Sequence, residues 1–577
     1  MSKPIDPLTL GAVWRSLRAA ANDAGNALQR TAYSEAVREG RDFSVALYDR
    51  RGAMVAQGDF SPGHLGSMPH TVGHVLDHFP AETLREGDAI LFNDPWLGSG
   101  HLPDFLLTSP IFSGGEIEGY VVSCAHMIDV GGAVPGSQAV TGIDSVHQEG
   151  IRLAPMHAWT AGVRNDELIE TIEANTRVPD KVAGDLVAMH TCNLAAQRSV
   201  GPLVERVGRD TYRAACTAIL EESEVAMREA IAQLPDGTYE AVDALDDCGP
   251  DTPPVRIAVA ITVDGGELTI DFAGSSPQTA SGLNAVANYS KAYCYFVVKA
   301  LMHGPDLPQN AGSIAPIGWT APEGCVMNAA YPSGVGARAI MQQRIVDVLM
   351  AAFAPIVPDS VMAASSHWAN PVLGGIDPRS GRSFVLYDVI VGGWGGRKGR
   401  DGVEAMCPSF NIDSIPTEVN ERSYPILVER YELIRDSAGA GRWRGGHGVR
   451  KDVRIEADDV VLANLGDRYA IAPPGLEDGF EGHRAATTIH RGEEARPVHS
   501  KELVRLRRDD LVVYELSSGA GYGDPRGRDP QLVARDVGWG LVSEEKAAEI
   551  YGVVLVDGEV DEQETQKRRA GEGVGAS

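Results

Sequence analysis

The residues best placed to do chemistry are His101-Leu102-Pro103-Asp104, followed about twenty positions later by Cys124-Ala125-His126. Two imidazoles and a carboxylate in this layout can converge on one divalent metal and leave coordination positions open. A metal held that way polarises a carbonyl or lowers the pKa of water, which makes the chain a candidate enzyme component. The same residues admit a plainer reading, with His101 capping a turn, Asp104 solvated and His126 a satisfied core histidine. Enrichment favours a site: His64, His70, His74, His78, His101, His126, His147 and His157 place eight of the 15 histidines in one window. Some of these would donate hydrogen bonds to ligands or simply pack. Asp42, in Arg41-Asp42-Phe43-Ser44, is one more candidate carboxylate, and can equally pair with Arg41 or Arg38.

The elements that must position these groups follow from pattern. Gly98-Ser99-Gly100, after the turn-prone Asn93-Asp94-Pro95, lets the backbone bend so that His101 and Asp104 point to one centre. Apolar residues at helical spacing from Leu8 to Thr31 predict an opening helix, and Phe43 to Val55 reads as a hairpin turning at Asp49-Arg50-Arg51-Gly52. Ala89–Phe92 and Gly119–Ser123 are predicted to form a strand pair with the His101 loop between them, so that His126 ends a strand. Asp166 to Leu234 predicts two or three amphipathic helices, broken at Val178-Pro179 and at Gly201-Pro202. Val255 to Phe272 alternates around Asp264-Gly265-Gly266, a hairpin signal, and helices are predicted over 285–302 and 342–353. Beyond Phe384 the chain turns to glycine and short strands.

These blocks predict an α+β (mixed α/β) chain with several layers of mostly antiparallel sheet and separate helical blocks, in one large multi-lobed chain. The expected divisions are a metal-site region over 1–160, a helical block over 161–237, a mixed region over 238–380, a glycine-rich β region over 381–556 and a flexible tail over 557–577. A length of 577 residues exceeds what one small core supports. The net charge is 51 − 79 = −28, which argues against nucleic acid or an anionic membrane as partner. The start lacks an apolar signal core and no run approaches the ~18 apolar residues of a span, so the expected location is cytoplasmic. Seven scattered cysteines without a CxxC predict neither a disulfide framework nor a cysteine zinc site.

There is no P-loop, no HExxH and no GxSxG elbow. The glycine-rich Gly392–Arg397 and Ser517–Pro525 segments can cradle an anion, but glycine in tightly packed β structure is the commoner use.

Taken together, several blocks carry a family resemblance: Gly40–Ser44, His64–Pro69, Asn93-Asp94-Pro95 with Gly100–Asp104, His126–Gly132, Gln148-Glu149-Gly150, Arg435-Asp436-Ser437 with Gly441–Gly446, and Gly519–Pro525. In order and over most of the chain, they resemble the hydantoinase B family. That family includes the B-type components of ATP-dependent N-methylhydantoinase, caprolactamase and 5-oxoprolinase-type enzymes, with related components of acetone and acetophenone carboxylases. The resemblance implies a hydantoinase A-type partner carrying ATP and Mg²⁺, a heteromeric complex, and a divalent metal (Zn²⁺ or Mn²⁺) held here by Asp42, His101, Asp104 and His126. It implies hydrolysis of a cyclic amide (hydantoin, lactam or 5-oxoproline type) through a carbonyl-phosphorylated intermediate made by the partner. The alternative is a component of a ketone carboxylase that joins an enolate to CO₂. A third is a scaffold protein whose site has lost its metal, against which the intact ligand set speaks. Asp129 and His147, close to the ligand strand, are candidates for general base, though hydrogen bonding to ligands is the commoner role for such neighbours. Two departures stand out. Some members read Gly-Gly-Thr-His where Gly98–His101 stands, and more glycine at Ser518 and Ala520; neither removes a proposed ligand.

Overall fold

The computed structural model describes residues 5–302, 307–406 and 409–571. Helix Pro7–Thr31 opens the chain where the periodicity predicts it. Asp6 caps it by accepting the backbone N–H groups of Leu8 and Thr9, and Pro7 stands at the first turn, where its missing donor costs nothing. Its buried stripe (Leu10, Val13, Leu17, Ala20, Ala24, Leu28) includes small residues that allow close approach. At Gly25 a Cβ would lie 2.1 Å from the Phe60 ring.

A seven-stranded antiparallel sheet forms the first lobe, in the order β2-β1-β5-β4-β3-β6-β7. The strands are β1 (Phe43–Asp49), β2 (Met54–Gln57), β3 (Ala89–Phe92), β4 (Asp104–Ser113), β5 (Glu116–His126), β6 (Met156–Thr160) and β7 (Val163–Arg164). The hairpin prediction holds for β1 and β2. The predicted pairing of β3 with β5 does not: β4 lies between them, and Asp104 is its first residue, opposite His126. Thr108-Ser109-Pro110 hid this strand. Pro110 falls past the last β4 residue paired with β3, where one edge of β4 is open and a missing N–H is tolerated.

Helices Asp166–Asn175, Pro179–Val207 and Arg209–Ile231 follow. The expected break at Gly201-Pro202 is absent. The middle helix continues through the exposed Pro202 and stops at Gly208 (φ +82°), a backbone conformation that favours glycine. This helix covers one face of the sheet: Asn193 donates to the Leu107 carbonyl at 2.9 Å and Gln197 to that of Pro110 at 2.8 Å. Ser123 of β5 also meets it, donating to the Met189 carbonyl. Side chains alternate along a strand, so Cys124 and His126 project from the opposite face.

Three further sheets carry most of the remaining chain. The first orders 317–320, 267–271, 255–264 and 237–245, with its outer pair parallel. The others are a four-stranded sheet over 372–506 and a five-stranded one over 426–515. Helix Ala287–Met302 packs on the 62–67 helix and on helix Ala339–Phe353, which is buried along almost its whole length and also packs on strands 237–245 and 255–264. One apolar core draws residues from Leu10 to Tyr522. The mixture of helices and mostly antiparallel sheets is the α+β class expected.

The glycine-rich segments pack backbone on backbone. A Cβ at Gly395 would meet the Ala363 carbonyl oxygen at 1.8 Å, and one at Gly519 the Trp394 carbonyl oxygen at 1.8 Å. Close approach accounts for this glycine, in line with the β-packing reading. The tail expected to be flexible from 557 is organised to residue 571: Leu555-Val556 pairs with Glu559-Val560, and helix Glu562–Arg569 follows, capped by Asp561. Arg568 and Arg569 anchor it by donating to the carbonyls of Ala548 and Tyr551. Six cysteines are free; Cys407 lies outside the described residues. Among the described residues no helix is long and apolar enough to cross a membrane.

Candidate metal centre

Register places three of the predicted ligands side by side. Asp104 on β4 is the direct partner of His126 on β5. On the other side of β5, the His126 N–H donates to the Asp42 carbonyl at 3.1 Å, just ahead of the Phe43–Ala125 pair. Asp42, His126 and Asp104 are thus cross-strand neighbours on three adjacent strands. His101 reaches the same point from the loop before β4. Asn93 shapes that loop by donating to the Leu102 carbonyl at 2.8 Å. Gly100 (φ +98°) sits where a Cβ would press on Arg338 and Tyr289 at 3.0 Å, so both backbone and packing demand glycine.

His101 Nε2 lies 2.8 Å from Asp104 Oδ1, and His126 Nδ1 lies 3.0 Å from the same oxygen. These three side chains are buried and their ligand atoms fall within 4.8 Å of one another. His101 Nδ1 donates to the Gly336 carbonyl at 3.1 Å, which leaves Nε2 as a lone pair facing a carboxylate. Nε2 has no hydrogen-bond partner, and neither does Asp42 Oδ1. Buried acceptors that face one another without a proton between them fit a cation, and a His₂Asp donor set suits Zn²⁺ or Mn²⁺. The residues present therefore fit the metal that the family resemblance implies.

Asp42 stands one step away. Its Oδ1 is 3.7 Å from His64 Nε2, which in turn is 3.3 Å from Asp104 Oδ2. It pairs with neither arginine considered from sequence: Arg41 meets Asp413 at 3.6 Å and Arg38 meets Glu39 at 3.0 Å. His64, with Cys124 and Asp104, forms an adjoining buried group that shares Asp104 with the first.

Arg338 carries no sequence signal of its role. Its guanidinium donates to Asp104 Oδ2 at 2.5 Å, lies 3.8 Å over the Tyr289 ring and is buried. Ser99 donates to the same oxygen. The one available hint is an arginine flanked by apolar residues, Ala337 and Ala339-Ile340-Met341, with no acid beside it. Tyr387, also unforeseen, packs its ring 4.5 Å from that of His126.

The electrostatics favour the ionised form of Asp104 and the neutral form of His101. Burial alone would raise the Asp104 carboxyl, but His101, His64 and Arg338 hold it well below the usual range. Burial and then Arg338 press His101 down to about 4, leaving a neutral imidazole at physiological pH. His64 goes the other way: burial opposes its charge, yet Cys124 and Asp104 raise it well above the ordinary value.

The two candidate bases fall elsewhere. Asp129 accepts from the backbone of Gly131, Gly136 and Arg177, and from the Arg177 guanidinium at 2.9 Å. Its acceptor capacity is committed to fixing the loop after β5. His147 is exposed and bonded to the Tyr331 hydroxyl at 2.9 Å. Neither joins the cluster.

An α+β chain with a buried imidazole–carboxylate centre at the end of three strands is the class that fold and site define. The chain belongs to the hydantoinase B/oxoprolinase family, whose model matches residues 6–525. It is 33% identical to the B component of a putative D-/L-hydantoinase from Pseudomonas sp. (strain NS671), over 98% of each chain. It is 30% identical to the beta component of the caprolactamase of Pseudomonas jessenii, over 98% of this chain and 99% of that one. The crystal structure of the ATP-dependent caprolactamase from that organism superposes with a TM-score of 0.90 at 28% identity, covering 98% of this chain and all of that one. An acetone carboxylase structure superposes with a TM-score of 0.88 at 20% identity, over 98% of this chain and 83% of that one, a likeness of fold.

Proposed function

We propose that this chain is the metal-holding component of an ATP-dependent cyclic-amide hydrolase, acting on a hydantoin, lactam or 5-oxoproline-type ring with a hydantoinase A-type partner that carries ATP and Mg²⁺. Family membership and the hydantoinase and caprolactamase relatives support the reaction class. The observation that carries the site is the 2.8 Å approach of two lone-pair donors, His101 Nε2 and Asp104 Oδ1, with the imidazole proton committed to Gly336.

An unstrained amide resists water because resonance makes its carbonyl a poor electrophile. Phosphorylation of that oxygen by the partner removes the resonance. A divalent metal, when bound, supplies Lewis acidity and water of lowered pKa. This chain's own residues do the rest. Asp104 and the neutral His101 present donors together with His126, and Arg338 with Ser99 fixes the Asp104 carboxylate. The buried walls of Tyr387, Tyr289 and Cys124 keep bulk water from the centre.

The test is product analysis with the co-purified A-type partner. Ring-opened product and ADP should appear only when both proteins, ATP and metal are present. Ring opening by the partner alone would overturn the proposal, as would label from bicarbonate entering a ketone with no lactam or hydantoin opened. The latter is the outcome expected of an acetone-type carboxylase.

A further inference from the structure

Glu149 stands behind His101 and does not touch it. Its side chain is 2% exposed, and its Oε1 accepts hydrogen bonds from the backbone N–H groups of Val335 and Gly336, both at 2.7 Å. The carbonyl of that same Gly336 takes the Nδ1 proton of His101. The next residue, Ala337, is pinned from the other side, its N–H donating to the Gly282 carbonyl at 2.8 Å. Gly336 fits by lacking a side chain, since a Cβ would lie 3.1 Å from the Glu149 carboxyl carbon and 2.9 Å from the Ser137 carbonyl oxygen. Gly132 is held as closely, with a Cβ 2.5 Å from the Glu149 backbone. Gly336 and Gly282 thus border the carboxyl while Gly132 packs on the Glu149 backbone, and the acceptor held next to His101 is the Gly336 carbonyl.

We infer that Glu149 is a positioning residue for the metal centre, acting through the 335–336 backbone to hold His101 in the tautomer whose Nε2 lone pair faces Asp104; this rests on the reading of His101 as a ligand. A neutral imidazole carries its proton on either nitrogen, and the partner of one nitrogen decides what the other can do. Without the Gly336 acceptor, the proton can move to Nε2, which then points at Asp104 Oδ1 instead of at a metal. Glu149 removes that choice by fixing where the acceptor sits. Burial pushes its carboxyl up to about 8, so near neutral pH the protonated form prevails and one oxygen still accepts both N–H groups. Glutamine offers the same acceptor at the same reach, so Glu149→Gln is the conservative variant. Aspartate is one methylene too short.

The experiment uses the full chain loaded with Co²⁺, reading the visible d–d spectrum and the Co²⁺ dissociation constant by chelator competition, with thermal unfolding of the apo proteins alongside. Glu149→Ala is expected to weaken Co²⁺ binding by about 10–100-fold and to alter the spectrum, the range typical of groups that orient a ligand histidine. Glu149→Asp should do the same in lesser degree, and Glu149→Gln should bind and absorb as wild type. If Glu149→Ala does not fold, the contrast between Glu149→Gln and Glu149→Asp decides. The inference is overturned if Gln and Asp variants weaken binding equally, or if Ala leaves affinity and spectrum unchanged. His101→Ala serves as the separate control. Wild-type Co²⁺ binding in that variant defeats the ligand reading itself, whatever Glu149 does.

Discussion

Two of the buried clusters of charged side chains satisfy their charges in different ways. Around helix Ala339–Phe353, Asp467 accepts from Lys501 at 3.0 Å and from Arg344, while Asp347 accepts from Arg468 at 3.0 Å and Arg344 at 3.3 Å. Two arginines and a lysine meet the carboxylates here, and the arginine atoms left unpaired, Nε of Arg344 and Arg468, are donors. At the end of β1, β5 and β4, Arg338 meets Asp104, His64 stands beside Asp42, and two acceptors, Asp42 Oδ1 and His101 Nε2, are left unpaired next to one unpaired donor, Arg338 Nε. The first cluster already contains its cations. The second is arranged to receive one. The contrast teaches that burial and ion pairing alone do not mark a candidate site; unpaired acceptors gathered beside a carboxylate do.

The comparison can be broken by exchanging the damage. Asp467→Asn leaves Arg344 and Lys501 without their anion, and a broken buried pair costs about 3–5 kcal/mol. Urea unfolding should register that loss while bound metal stays at wild-type level. Loss of metal in this variant would merge the two clusters into one function. Sign follows for pH. Burial raises the Asp467 carboxyl, but Lys501, Arg344, His367 and Arg468 depress it far below its ordinary value. Its contribution is therefore present above the unfolded carboxylate pKa of about 3.9 and declines as pH falls below that, by about 1.4 kcal/mol per unit. The stability gap between wild type and Asp467→Asn should narrow on acidification from about pH 4 to about pH 3. A gap that widens would contradict the assignment of charge.

A smaller effect sharpens the other side. His64 touches Asp104 and Asp42 at 3.3 and 3.7 Å without belonging to the His101–Asp104–His126 group. His64→Ala should weaken metal binding by about 10–100-fold, read by chelator competition, and lower urea stability as well, because it truncates a buried side chain in contact with Asp104. The smallest effect is expected at His147, exposed on Tyr331. His147→Ala should keep metal content and ATP-dependent turnover within about twofold of wild type, as for an exposed change remote from the chemistry. A large loss of turnover would restore it as a base.

Much of this was readable in the chain because it was local. The opening helix showed its stripe and cap at Asp6, and the β1–β2 hairpin its alternation. The candidate ligands His101, Asp104 and His126 were visible as residue types on a glycine-bent loop and a strand end. What escaped depends on long-range register. β4 was masked by Thr108-Ser109-Pro110, where the helix over 179–207 bonds the Ser109 hydroxyl through Asn193 and the Pro110 carbonyl through Gln197. Arg338 lies 234 positions from Asp104, and no pattern within its own helix names that carboxylate. Asp129 looked free beside the ligand strand, yet Arg177, 48 positions on, claims it. Gly201-Pro202 looked like a break, but packing on the sheet carried the helix through it.

The central claim is tested most directly by counting metal. Wild-type chain, purified and dialysed, should retain about one equivalent of divalent metal per chain by elemental analysis, and His101→Ala and Asp104→Asn should retain almost none while remaining folded. A wild-type chain without stoichiometric metal, or variants that keep it, would contradict the account.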